Sequence, residues 1–115
     1  MTMILKQRRL DDVLILDPSG RITIGEGTVM LRDHIKKALD TGDRKFLLNL
    51  ADVDYIDSSG LGELVSSYTT VRNQGGQFKL LKLTRRVHDL LQITKLLTVF
   101  ETFDSEAEAL KSLRQ

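Results

Sequence analysis

Apolar and polar residues alternate along the chain in segments that predict strands and helices in turn. Residues 3–8 and 13–17 read as two strands, and the polar residues 9–12 between them have the length of a hairpin connection. Pro18 is expected to begin a Pro-Ser-Gly turn, and a short apolar piece follows at residues 22–24. The chain therefore opens on a predicted hairpin.

The middle of the chain alternates between helical periodicity and buried strands. A first helix is predicted to begin after the segment Gly25-Glu26-Gly27, and Gly42 is placed to end it. Its apolar face is marked by Leu31, Ile35, Ala38 and Leu39. Residues 45–50 form a nearly continuous apolar run, which is typical of an interior strand covered on both faces. Residues 51–57 read as a connection to the next helix.

Two further helices and two further strands complete the pattern. The second helix ends at Gly75 and shows helical apolar spacing at Leu61, Leu64, Val65, Tyr68 and Val71. A strand over residues 78–83 precedes a helix whose apolar positions are Val87, Leu90, Leu91 and Leu97. Residues 98–103 read as a short last strand, and Ser105 with Glu108 has the spacing of a capping box. The expected fold is α/β, one domain over residues 1–115, with a mixed β-sheet, an N-terminal hairpin and helices packed over the sheet.

Composition narrows the possible partners. Seventeen basic residues face sixteen acidic ones, and aromatic residues make up 5%, which argues against a nucleic-acid partner. The chain has no cysteine, so disulfides and cysteine-bound zinc are excluded. The first eight residues turn polar too early for a signal peptide, and no stretch approaches the ~20 apolar residues of a membrane span. We expect a soluble cytoplasmic protein with no membrane partner, no cofactor and no metal.

The segment Asp57-Ser58-Ser59-Gly60-Leu61-Gly62 stands directly before the second helical pattern. Free backbone N–H groups and the positive end of the helix dipole favour negative charge there, so a phosphate on a serine could be accommodated. Asp57 or Ser58 could equally be a simple N-cap, because both residue types dominate that position. Gly60 and Gly62 cost helix stability, which suggests that they leave room for another protein to approach the backbone.

Residues 56–64, Ile-Asp-Ser-Ser-Gly-Leu-Gly-Glu-Leu, resemble the signature of the STAS domain family, and specifically of the bacterial anti-sigma-factor antagonists. The opening hairpin, the early Gly20-Arg21-Ile22, the strand at 47–50 and the Asn73-Gln74-Gly75-Gly76 stop agree with that resemblance in their order along the chain. In that family the serine directly after the aspartate is phosphorylated, and the resemblance assigns that role to Ser58.

The resemblance implies a partner switch. The unphosphorylated form would bind a serine kinase that doubles as the anti-sigma factor and so release the sigma factor; phosphorylation of Ser58 would end that binding, and a serine phosphatase would restore it. The partner-binding surface implied by the resemblance comprises Thr23 and the contiguous residues Asp57, Ser58, Ser59, Gly60, Leu61 and Gly62. Phosphorylated members often carry an aspartate where this chain has Thr23.

Three other functions are weighed against this one. A receiver domain would use Asp11, Asp12 and Asp57 as an acidic cluster, but Asp11 and Asp12 fit a hairpin turn better. An enzyme is disfavoured, because no sequence neighbour would activate Ser58, and His34 and His88 each fall on a predicted helix. A STAS scaffold that is not phosphorylated, or a transporter-associated subunit, keeps the fold and changes the role.

Overall fold

The computed structural model describes residues 3–114, in which strands and helices alternate after an opening hairpin. The strands are β1 Met3–Leu10, β2 Val13–Ile22, β3 Lys45–Asn49, β4 Asp52–Ile56, β5 Gln77–Leu81 and β6 Thr102–Phe103. The helices are α1 Glu26–Asp40, α2 Ser58–Asn73, α3 Arg85–Ile93 and α4 Glu106–Leu113. The prediction of one domain over residues 1–115 stays a prediction, and residues 1, 2 and 115 lie outside the described part of the chain.

The six strands of the described residues form one mixed sheet in the order β1-β2-β3-β5-β6, with β4 paired to β2. β1 and β2 are antiparallel, while the other pairings are parallel. Strand β2 changes partner along its length, because Val13 to Leu16 pair with β3 and Ser19 to Ile22 pair with β4. The predicted fold class, a mixed sheet with an N-terminal hairpin and helices over it, is confirmed.

The sheet is covered on both faces. One face, with Phe46 and Leu48 of β3, packs against α1, α2 and α3 in the larger core cluster. The opposite face, with Leu47 of the same strand, packs against Ala109 and Leu113 of α4. Strand β3 is therefore buried on both sides, as its continuous apolar run predicts.

The predicted turn at Pro18 is wrong, because β2 continues through Pro18, Ser19 and Gly20 to Ile22. Proline normally interrupts a central strand, since it lacks a ladder donor. Here Pro18 lies between the segment of β2 that pairs with β3 and the segment that pairs with β4. The missing N–H therefore falls where β2 exchanges one parallel neighbour for another.

Three further segments of the chain differ from the prediction. Residues 52–56 form strand β4, although residues 51–57 were predicted to be a connection. The third helix ends before Leu97, because Lys95 adopts a left-handed φ of 63° and the chain folds back so that the Leu97 N–H donates to the Leu91 carbonyl. The last strand is limited to Thr102–Phe103.

The helices are short relative to a bilayer. α2, the longest of them, has 16 residues, and α1 has 15. Since about 20 apolar residues are needed to cross the hydrocarbon core, no helix within residues 3–114 is long and apolar enough to span a membrane.

Candidate functional site

The candidate site lies at the edge of the sheet where parallel strands β2 and β4 end together. Ile22 and Ile56, the last residues of the two strands, are paired in register. Residues 23–25 then lead from β2 into α1, and Asp57 leads from β4 into α2. The carboxyl ends of parallel strands are where α/β proteins commonly place their functional loops, and here two such loops are adjacent.

Asp57 ties the two loops together through its carboxylate. Oδ1 accepts a hydrogen bond from the Gly60 backbone N–H at 2.7 Å, which makes Asp57 the N-cap of α2. Oδ2 accepts from the Ile24 backbone N–H in the other loop at 3.0 Å. The bonds from Ile24 and Gly60 stabilise the ionised form and lower the pKa of the Asp57 carboxyl below its usual range.

Asp57 should therefore make stability depend on pH in the acid range. Because its pKa is lower in the folded chain, its contribution is fully present above the pKa of the unfolded chain and is lost as the pH falls through the folded pKa. We expect Asp57→Ala to lower the melting temperature at pH 7. The difference in melting temperature between this variant and wild type should become smaller as the pH is lowered towards 3.

Thr84 offers a matched control for that measurement. Its hydroxyl caps α3 by accepting from the Val87 N–H at 3.2 Å, and a hydroxyl does not titrate in this range. The melting-temperature loss in Thr84→Ala should not share the pH dependence of Asp57→Ala. If the melting-temperature difference between Asp57→Ala and wild type stays constant from pH 7 to pH 3, the ionised Asp57 carboxylate does not stabilise the fold as described.

Ser58 is the first residue of α2 and is exposed. Its hydroxyl makes no hydrogen bond with any other residue in the range 3–114, whereas Asp57 beside it has both oxygens engaged. At this position the free N–H groups of the first helical turn and the helix dipole favour an added negative charge. Ser58 is the more accessible of the two serines, since Ser59 is half-buried.

The two glycines of the segment differ sharply in their surroundings. A Cβ built on Gly60 would lie 2.0 Å from the Ile22 carbonyl oxygen and 2.9 Å from Ile56 Cγ2, so this position is closed by the ends of β2 and β4. A Cβ on Gly62 would meet nothing within 4 Å. Both glycines were expected to leave room for a partner; Gly60 instead meets a packing requirement within the chain, whereas Gly62 lies open at the surface.

Thr23 and Leu61, which were also assigned to the partner surface, lie in different surroundings. Thr23 follows the last residue of β2, and its backbone carbonyl accepts from the Thr28 N–H at 3.2 Å, closing the turn into α1. Leu61 is buried in the larger core cluster. Thr23 therefore lies beside Asp57 and Ser58 at the same edge, and Leu61 faces the interior.

Sequence reasoning missed a buried carboxylate next to this segment. Glu63 of α2 has only 5% of its side chain exposed, and its Oε1 accepts from Arg32 Nε of α1 at 3.0 Å. Its Oε2 accepts from the Ser67 hydroxyl at 3.1 Å. Glu63 departs from the apolar stripe of α2, yet a lone acidic residue in a helix usually signals a solvated face, so the sequence offered no clear signal.

Exposed apolar side chains surround the same edge. Ile24, in the loop after β2, is 75% exposed, and Tyr55 of β4 is 40% exposed. The Arg21 guanidinium stacks over the Tyr55 ring, with its carbon 5.4 Å from the ring centroid. Arginine and tyrosine are among the residues that contribute most at protein interfaces, and their presence here was not predicted.

The groups required by the alternative functions lie elsewhere. Asp11 and Asp12 form the two-residue turn between β1 and β2, at the opposite end of β2 from Ile22. Since β2 has ten residues, that turn lies roughly 30 Å from the site, and the acidic cluster of a receiver cannot form. His34 binds the Met30 carbonyl within α1, and His88 contacts Asp89 within α3, so neither is engaged with Ser58.

Comparisons with known proteins agree on one family. A family model described as the STAS domain matches residues 5–109. A Thermotoga neapolitana protein, provisionally named an anti-sigma factor antagonist, is 33% identical over 105 residues, covering 91% of this chain and 93% of that protein. The anti-sigma-B factor antagonist of Bacillus subtilis is 32% identical over 83 residues, covering 72% of this chain and 74% of the relative.

A solved structure shows the same likeness in three dimensions. The crystal structure of a Thermotoga maritima protein, again provisionally named an anti-sigma factor antagonist, has a TM-score of 0.89 and 29% identity. The alignment covers 96% of this chain and 95% of that one. Both the sequence match and the structural match extend across β2, β4 and α2, the three elements that meet at the candidate site.

Proposed function

The chain belongs to the STAS domain family, and we propose that it acts in the cytoplasm as an anti-sigma-factor antagonist whose partner binding is switched by phosphorylation of Ser58. The unmodified form binds a serine kinase that is also the anti-sigma factor. The observation that carries the proposal is the state of Ser58: its hydroxyl is exposed and has no hydrogen bond to the residues that the structure describes, and the capping role that could have occupied it belongs to Asp57.

The chemistry required of this chain is limited to presenting a nucleophile. Ser58 Oγ attacks the γ-phosphorus of ATP held by the kinase, an O–P bond forms, and the bond to the β,γ-bridging oxygen breaks to release ADP. The hydroxyl proton passes to a base on the kinase, because the backbone bonds from Ile24 and Gly60 lower the pKa of the Asp57 carboxyl and make it a poor proton acceptor. A serine phosphatase reverses the state by directing water at phosphorus, which releases inorganic phosphate and restores the hydroxyl.

The proposed docking surface extends to both sides of Ser58. Gly62 lies open on α2, so another backbone can approach there, and Ile24 offers an exposed apolar contact in the neighbouring loop. Thr23 takes the place of the acidic residue common among phosphorylated relatives. The partner of this chain therefore meets an uncharged hydroxyl there, in place of a carboxylate.

Phosphopeptide mapping tests the assignment. We expect a kinase that co-purifies with the chain to transfer phosphate from ATP to Ser58, so that Ser58→Ala abolishes labelling because the nucleophile is gone. Ser59→Ala is the matched control and should still be labelled at Ser58. Normal labelling of Ser58→Ala would refute the site, and a wild-type chain that binds the kinase without being labelled would favour a scaffold that is not phosphorylated.

A further inference from the structure

The buried carboxylate of Glu63 holds a cation at the groove between α1 and α2. Arg32 Nε and Nη2 both lie within 3.0 Å of Glu63 Oε1, and Ser67 Oγ donates to the other oxygen. Glu63 is almost completely buried, so removing its cation would leave an uncompensated buried carboxylate, which is strongly unfavourable. Arg32 is therefore fixed in place by an interaction that uses only one edge of its guanidinium.

The N–H donors of Arg32 that do not face Glu63 are available to bind an anion. A guanidinium carries about five N–H donors; here Nε–H donates to Glu63 Oε1, and Nη2 makes an ion-pair contact with the same oxygen. The Arg32 side chain remains 57% exposed although its partner is almost completely buried. The exposed part borders an open depression that is also lined by Thr28, Ser59 and Gly62.

Helix geometry separates the two serines with respect to this cation. Ser59 and Glu63 are four residues apart on α2, so their side chains are neighbours on one face, about 5–6 Å apart at Cβ. The Glu63 carboxylate itself accepts from Ser67, one turn further along α2, but Arg32 and Ser59 line the same depression. Ser58 is offset by roughly 100° around the helix, since a turn has about 3.6 residues, and it does not line the depression.

We propose that Arg32 is an internal anion-binding residue directed at position 59, so that a phosphate carried by Ser59 is neutralised within the chain while one carried by Ser58 remains unpaired. The consequence for signalling rests on the proposed function: the unpaired charge at Ser58 is the one that repels a partner. The pairing itself requires neither kinase nor partner. Glu63 is the one other charged group in the depression, and its oxygens already accept bonds from Arg32 and Ser67.

Phosphoserine installed by genetic encoding at position 58 or 59 provides the test, with the second phosphate pKa measured by phosphorus NMR. The pKa should be lower at position 59 than at 58 by about half a unit or more, because a nearby cation favours the dianion. Arg32→Gln should remove most of that difference. Lys36→Gln, one helical turn along α1 and also exposed, is the matched control and should leave it intact.

Two outcomes would overturn the proposal: equal phosphate pKa values at the two positions, or a difference that survives Arg32→Gln. Arg32→Gln leaves Glu63 unpaired and could fail to fold for that reason. In that case the double variant with Arg32→Gln and Glu63→Gln, which removes both charges, is measured in place of the single variant. The same two outcomes then apply. Since no kinase takes part in the measurement, either failure would leave the Ser58 switch untouched, and a failure of the switch would leave this result standing.

Discussion

Gly60→Ala is expected to destabilise the fold by about 3 kcal/mol or more, because a new Cβ would be forced against a well-packed strand end. The nearest atom, the Ile22 carbonyl oxygen, would be 2.0 Å away, far inside van der Waals contact, and it belongs to the backbone of β2. That carbonyl also accepts from the Asp57 N–H, so it cannot move without disturbing the loop. Urea unfolding should show the loss as a lower midpoint with an unchanged slope.

Gly62→Ala is the matched control, two residues further along the same helix. Nothing lies within 4 Å of its new Cβ, so the only change is the gain in helix propensity. We expect this variant to be as stable as wild type or more stable by up to about 1 kcal/mol. Equal stability of the two alanine variants would show that α2 does not begin as closely against β2 as the structure has it.

The contrast between these glycines shows what the sequence could and could not reveal. Two glycines in the first turns of a helix indicate a steric requirement at each. They do not indicate whether the requirement comes from the chain itself or from a partner, since that depends on which strand ends lie against the helix. The contact of Gly60 with Ile22 joins residues 38 positions apart in the chain, and local periodicity carries no information about it.

The elements that were predicted correctly depend on local signals. Strand β3 is a continuous apolar run, and Ser105 caps its helix through its own side chain, as its spacing from Glu108 predicts. Two of the errors fall where tertiary pairing overrides local preference. Pro18 is tolerated in β2 because that strand changes partner there, and the aspartate-rich residues 52–56 form a strand because β2 offers them a pairing edge.

The position of the candidate site was predicted from its signature residues. The hydrogen bonds and ion pairs that connect it to neighbouring elements were not predicted. Position alone made Asp57 or Ser58 a candidate N-cap, and the bond from the Ile24 N–H to Asp57 depends on β2 and β4 ending side by side. Glu63 and Arg32 were missed because each looks like a surface charge until α1 and α2 are packed together. The tertiary contacts thus decide which charges face inward and which remain free for a partner.

A negative charge at position 58 is expected to produce the largest change in partner binding. A phosphate adds about −1.5 to −2 charges and a hydrated group at the centre of the proposed docking surface, so repulsion and desolvation both oppose the interface. A loss of about 3 kcal/mol corresponds to more than a hundredfold in affinity. Calorimetric titration of the co-purified kinase with the phosphorylated chain should show at least that loss.

Ser58→Asp and Ser58→Ala separate charge from side-chain loss in the same titration. The aspartate carries one charge and no bulky phosphate, so we expect a loss of about tenfold, or 1.4 kcal/mol. The alanine should bind within severalfold of wild type, because the Ser58 hydroxyl has no bond in residues 3–114 whose removal would disturb the fold. An alanine variant that loses as much affinity as the phosphorylated chain would mean that the hydroxyl itself is the contact and that charge is not the switch.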